Sequence, residues 1–153
     1  MKIELFIPCV PAGQPRAKAT TIGGKARMYD QKTIGKGHDK RPHPAVEFRY
    51  AVATAVREAW GRAASERPFR VDSVFIFQRP LSKTFKSRPN PPLWHMSKPD
   101  RDNLDKSVLD CLAGIVWRDD SQVVAGSLEK RTGIPGEQSG VRLTIEELES
   151  EVL

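Results

Sequence analysis

Apolar residues alternate with polar ones at the start of the chain: Ile3, Leu5 and Ile7 share one face, which predicts a strand over residues 2–8. Pro8, Pro11, Gly13 and Pro15 stop it. Between Val46 and Trp60 the spacing becomes helical, through Val46, Tyr50, Ala53, Val56 and Trp60, and Gly61 stands just past the end. Arg70 to Gln78, with Val71 and the run Val74-Phe75-Ile76-Phe77, reads as a mostly buried strand ended by Pro80. A second helix is predicted from Asp102 to Ala113, ending at Gly114. At 100° per residue, Leu104, Val108, Cys111, Leu112 and Ile115 form one stripe on it. Two strands follow, over Gln122–Lys130 and around Val141, Leu143 and Ile145. The order predicts a single α+β domain over residues 1–153, with a mixed sheet of about four strands packed against two main helices. The acidic tail, residues 146–153, reads as a last helical turn or a frayed end.

Two segments lack such periodicity. Residues 14–44 carry Arg16, Lys18, Lys25, Arg27, Lys32, Lys36, Lys40 and Arg41 against only Asp30 and Asp39, with glycines at 23, 24, 35 and 37. They are expected to form a long, mobile, basic loop. Residues 81–99 place Lys83, Lys86, Arg88 and Lys98 among four prolines, with Phe85 and Trp94. That composition is compatible with stacking on unpaired DNA, although a solvated proline-rich connection is the simpler reading. The whole chain has 25 Lys and Arg against 19 Asp and Glu, a net charge of +6, which favours a polyanionic partner. No apolar run is long enough to span a bilayer, and the first ten residues lack the continuous apolar stretch of a signal peptide, so no membrane partner is expected. Cys9 and Cys111 form no disulfide or metal pattern, and a cytoplasmic setting is expected.

Against the basic background, residues 98–122 hold Asp100, Asp102, Asp105, Asp110, Asp119 and Asp120. Taken singly, Asp102 reads as a helix cap, Lys106 as its partner one turn on, and Asp119-Asp120 as a turn. Taken together they suggest more. Gly114 lets the chain leave the helix and Ile115-Val116-Trp117 can anchor its return, so Asp119 and Asp120 are expected to approach Asp100 and Asp102. Carboxylates gathered so closely require a cation, and hard oxygen donors suit Mg²⁺, with Mn²⁺ as a substitute. His38, His43 and His95 have no ligand-like spacing and read as loop residues. A divalent-metal carboxylate site in a basic chain points to phosphodiester hydrolysis. The absence of a Gly-rich phosphate loop argues against a nucleotide cofactor.

The strings PDRDNLDKSVLDCLAG and VWRDDSQV resemble the RusA family of Holliday junction resolvases, whose pattern is D-x-D-N-x-x-K, then D-[AC]-L, then W-x-D-D-x-Q-V. The match covers residues 98–124 and includes Asp110, Trp117 and Gln122. A looser likeness covers the initial I-P-x-x-P-A-G-Q-P-R-A-K segment, where Ala19-Thr20 replace further basic residues. The resemblance implies a homodimeric, Mg²⁺-dependent endonuclease that nicks opposing strands of a four-way DNA junction in recombination and repair. It also implies a bacterial setting, often phage- or prophage-encoded. By position, Asp100, Asp102 and Asp120 match the essential metal-binding aspartates, Asp119 the neighbouring acidic position, and Lys106 the catalytic lysine. The expected DNA contacts are Arg16 and Lys18, just after the first strand, with Lys98, Arg101 and Asn103 beside the acidic cluster. Asp110 reads as structural. Two rival readings remain at this point: a broader nuclease of flaps and forks, and a non-catalytic binder of branched DNA.

Overall fold

The computed structural model describes residues 1–15, 17–30 and 33–152, and for Lys18, Tyr29 and Asp30 the backbone alone. Its centre is a five-stranded mixed sheet. In chain order the strands are β1 (Lys2–Pro8), the hairpin strands β2 (Ala17–Ile22) and β3 (Lys25–Asp30), a short ribbon of β4 (Thr33–Ile34) and β5 (Arg41–Pro42), then β6 (Phe69–Phe77), β7 (Leu93–Trp94), β8 (Val123–Thr132) and β9 (Gly140–Glu147). The central sheet runs β1-β9-β6-β8-β7. Among the described strands only the β6–β8 pair is parallel; it needs a crossover, and the helix α2 (Arg101–Leu112) supplies it.

The helix α1 (Pro44–Trp60) starts where His43 accepts the Ala45 amide on Nδ1, with Pro44 in the first turn, where no amide is missed. Both helices pack on one face of the sheet. Phe48, Val52, Val56 and Trp60 of α1, with Leu104, Val108 and Leu112 of α2, meet Ile7, Phe69, Val71, Phe75, Val141, Leu143 and Ile145. The buried stripe of α1 therefore runs through Ala45 and Phe48 rather than Val46 and Tyr50, which face solvent. The large Phe48 ring rotates the helix so that its own face turns inward.

The four predicted strands of the sheet are all present, and β7 adds a fifth, short one. Three expectations change. Residues 17–30 are a β-hairpin, not an irregular loop: β-branched Thr20, Thr21 and Ile22 pair with Arg27, Ala26 and Lys25. Gly23 and Gly24 supply the two positive φ angles, 59° and 75°, that a tight hairpin turn requires. Residues 33–42 likewise contain the β4–β5 ribbon and a 3-10 turn. Glu146 and Glu147 continue β9, paired with Lys2 of β1 and with Phe69 and Arg70 of β6, so the tail begins as strand and not as a helical turn. At the start of β8 a bulge shifts register between Phe69 and Arg70; Gly126 sits there at φ 151°, where a β-carbon would collide with the Val71 carbonyl.

Candidate active site

Asp100 caps α2 by position and makes no side-chain capping bond; Asp102 lies in the first turn. The cap is therefore Asp100, not Asp102, two residues earlier than the sequence pattern suggests. Both carboxylates are exposed, as are Lys98, Arg101 and Lys106. Among the described residues no cation lies within ion-pair distance of Asp100, Asp102 or Asp120. The first two face solvent at the positive end of the helix dipole, which favours their negative charge.

The segment that carries Asp100 into α2 is fixed from behind. His95 stacks on Phe77 with ring centroids 3.8 Å apart and planes 8° from parallel. Its Nδ1 lies 3.0 Å from the Thr132 hydroxyl and its Nε2 3.3 Å from the Lys98 carbonyl. A carbonyl only accepts, so Nε2 carries the proton and Nδ1 accepts from Thr132. Burial holds the ring's pKa below the ordinary histidine value, which keeps this neutral form. Lys130 Nζ donates to the Ser97 carbonyl at 2.7 Å. His95 is thus a bolt between loop and sheet, a role its sequence context does not announce.

Asn103 Nδ2 donates to the Gln14 carbonyl at 3.1 Å. A β-carbon on Gly13 would come within 2.7 Å of that amide nitrogen, so the close approach requires glycine. The first turn of α2 is thereby tied to the segment that enters the β2–β3 hairpin. Arg16 lies outside the described residues, and so does the side chain of Lys18.

Asp119 and Asp120 stand elsewhere. Buried Trp117 packs on Phe69 with ring centroids 5.5 Å apart, and Gly114 N–H bonds its carbonyl at 2.7 Å, so the chain turns back tightly at the C-terminal end of α2. A 3-10 turn, Asp120–Gln122, then leads into β8. Gln122 makes four bonds: Oε1 accepts from the Arg118 and Asp119 amides, and Nε2 donates to the Ser65 and Arg67 carbonyls. Asp119 accepts from the Ser121 amide, and bonding to Ser121 holds its carboxyl below the usual carboxylate range.

Asp100 and Asp102 therefore sit at one end of α2, beside the C-terminal end of β8, while Asp119 and Asp120 sit at the other end, just before β8 begins. The 12-residue helix that lies between them is about 18 Å long. The expected approach of the two pairs within one chain does not occur. Among the described residues no group of three or more His, Cys, Asp or Glu side chains is close enough to share a metal ion. Between the two pairs runs a groove lined by Arg101, Asp105 and Leu109 of α2 and by Val123–Leu128 of β8. Burial raises the Asp105 carboxyl above the usual range, against the opposing pull of Arg101. Among the described residues no strand pairs with this edge of β8 from Val123 to Glu129.

Cysteine chemistry has no place in this arrangement. Burial pushes the Cys9 thiol up to about 11 and the Cys111 thiol to about 12, far from an ionised nucleophile. No described helix is long and apolar enough to cross a membrane.

No curated protein matches the chain. The family model of endodeoxyribonuclease RusA matches residues 8–146, from the end of β1 to the penultimate residue of β9, and so includes both carboxylate pairs, Lys106 and the Gln14 segment pinned by Asn103. The chain belongs to the RusA endodeoxyribonuclease family.

Proposed function

We propose that this protein is a Mg²⁺-dependent, homodimeric endonuclease that resolves four-way DNA junctions by paired symmetric nicks, in recombination and repair. The observation that carries the reading is the exposed Asp100-x-Asp102 pair at the start of α2, unpaired with any described cation, one turn ahead of Lys106. Hard oxygen donors in water without a cationic partner fit a divalent ion of the Mg²⁺ or Mn²⁺ class. When bound, such an ion supplies charge neutralisation at the scissile phosphate and acidifies a water. Lys106, one turn from Asp102 on the exposed face, stabilises charge on the phosphate or the leaving oxygen. Arg16, Lys18, Lys98 and Arg101 hold the flanking phosphates, and Asn103 positions the Gln14 segment from which the hairpin departs.

The length of α2 between the carboxylate pairs supports a reading in which each chain carries two half-sites. A second copy laid antiparallel along the α2–β8 groove, about a two-fold axis, pairs Asp100 and Asp102 of one protomer with Asp119 and Asp120 of the other. The strand edge left open from Val123 to Glu129 lies between the half-sites, where such a copy would pack. Two identical composite sites then face a substrate of matching pseudo-symmetry. A cytoplasmic, bacterial setting with phage or prophage origin rests on the family resemblance.

Two measurements test this. Labelled four-way junction, fork and duplex are incubated with the protein in Mg²⁺ and in EDTA; paired nicks on the junction in Mg²⁺ alone are expected. Equal cutting of forks would make it a broader branched-DNA nuclease, and binding without cutting a non-catalytic relative. Asp102→Asn should abolish cleavage and retain junction binding, since it removes one negative charge facing DNA. Asp102→Asn mixed with Asp120→Asn should regain single nicks, because one of the two composite sites in the mixed dimer is intact. A wild-type rate for Asp102→Asn would remove Asp102 from the site. No recovery on mixing, with exchange of protomers demonstrated, would place each site within one chain.

A further inference from the structure

The segment of residues 81–99 is more ordered than its prolines suggest. The buried Arg79 guanidinium donates to the carbonyls of Lys83, Pro91 and Gly133, fastening the segment to the sheet. Asn90 clamps both the amide and the carbonyl of Phe85. At its end, β7 pairs Leu93 with Thr132 and Trp94 with Arg131. Trp94 is 68% exposed, whereas the other two tryptophans, Trp60 and Trp117, are buried. Met96 is 93% exposed. His95 turns inward onto Phe77, while its neighbours Trp94 and Met96 face solvent.

A tryptophan with its ring in water forgoes the burial that so large an apolar side chain ordinarily gains. Here the ring also walls a recess of about 330 Å³, shared with Pro92, Leu93 and Arg131. Glu129 holds Nε and Nη2 of Arg131, which fixes the orientation of the guanidinium plane at the lip. A flat apolar surface, a planar cation beside it and Lys98 four residues on form a platform for an aromatic heterocycle attached to a phosphate. Asp100 follows Lys98 by two residues, so whatever seats on Trp94 is registered against the first half-site.

We propose that Trp94, with Met96 and the recess bordered by Arg131, receives a DNA base unstacked at the branch point and so selects junctions over duplex. This rests on the junction-nuclease reading above. Continuous duplex offers no free base face to Trp94; the crossover of a four-way junction does, wherever stacking is interrupted. Base–aromatic stacking is tolerant of sequence, so the contact reads branching rather than a base identity.

The test is a cycle between protein and DNA. Wild type, Trp94→Ala and Trp94→Phe are titrated in EDTA with intact junction, with junctions carrying an abasic nucleotide at each branch-flanking position, and with duplex. Trp94→Ala is expected to weaken intact-junction binding about tenfold and duplex binding less than about twofold, with Trp94→Phe recovering most of the loss. For wild type, one abasic position should cost about the same tenfold, and Trp94→Ala should not notice it. Emission lost on junction binding but not on duplex binding should vanish in Trp94→Phe, because the remaining tryptophans are buried. Equal losses on junction and duplex, or an abasic penalty as large in Trp94→Ala as in wild type, would overturn the role of Trp94 while leaving the nuclease reading intact. Wild type that binds no junction better than duplex would overturn both.

Discussion

Gln122 offers a measure of how far the Asp119–Asp120 turn depends on one side chain. Its amide joins Arg118 and Asp119, before the turn, to Ser65 and Arg67 across from it, through four hydrogen bonds of 2.8–3.0 Å. Three of these are at the surface, where water competes, and are assigned about 0.5 kcal/mol each; the half-buried bond to Ser65 is assigned about 1 kcal/mol. Gln122→Ala should then destabilise the fold by about 2.5 kcal/mol. In urea, with a slope near 2 kcal/mol/M, the midpoint should fall by about 1.2 M. Gln122→Glu keeps the two accepted bonds but turns an oxygen toward the Ser65 and Arg67 carbonyls. It should be no more stable than Gln122→Ala at pH 7 and should recover toward pH 4, as a protonated carboxyl can donate. Because the turn presents Asp120, single-turnover cleavage of a four-way junction should fall by tenfold or more in both variants, at nearly unchanged junction affinity. A urea midpoint within about 0.2 M of wild type would refute the energetic reasoning. A destabilised Gln122→Ala that cleaves at the wild-type rate would show that the turn does not present a reacting group.

Lys106→Ala should lower the single-turnover cleavage rate while leaving junction affinity and its salt dependence unchanged; a pure affinity loss would make Lys106 a phosphate clamp instead. Arg16→Ala with Lys18→Ala should reduce the salt slope of junction binding by up to about two at unchanged dimeric mass, and an unchanged slope would remove both from the interface. Glu147 links β9 to Ser65, Arg62 and the N-terminus, and the Ser65 hydroxyl followed by Arg62 holds its carboxyl down at about 2. A depressed carboxyl stabilises the fold above its unfolded value near 4.5 and loses that contribution as pH falls toward 2. The full shift corresponds to roughly 3 kcal/mol, reduced to about 1–2 because Arg62 is 44% exposed and water screens the pair. Gln in place of Glu147 should cost that much in urea unfolding at pH 7 and nothing at pH 2; an equal cost at both would refute the electrostatic account.

What the sequence determines here is mostly local. Period-two alternation gives β1 and β9, and helical spacing gives α1 and α2, because each element buries one face and the backbone period dictates which residues share it. Asp100, Asp102 and Lys106 lie within two turns of one helix, so spacing alone sets their proximity. The β2–β3 hairpin was legible in principle from Gly23-Gly24 directly after β-branched Thr20, Thr21 and Ile22, but its charge pattern masked it. Other features depend on contacts far apart in the chain. Phe48, not Val46, faces inward because the sheet offers room for its ring, and Trp94 faces solvent while His95 turns inward onto Phe77. The carboxylates show the division most clearly. A motif with Asp100 and Asp102 before a helix and Asp119 and Asp120 after it says that four acids are present, not that they meet. α2 runs unbroken for twelve residues, Trp117 anchors the chain beyond its far end in the core, and the sheet register fixes where β8 begins. Tertiary packing therefore holds the two pairs a helix length apart, a separation that no residue spacing in the sequence could have stated.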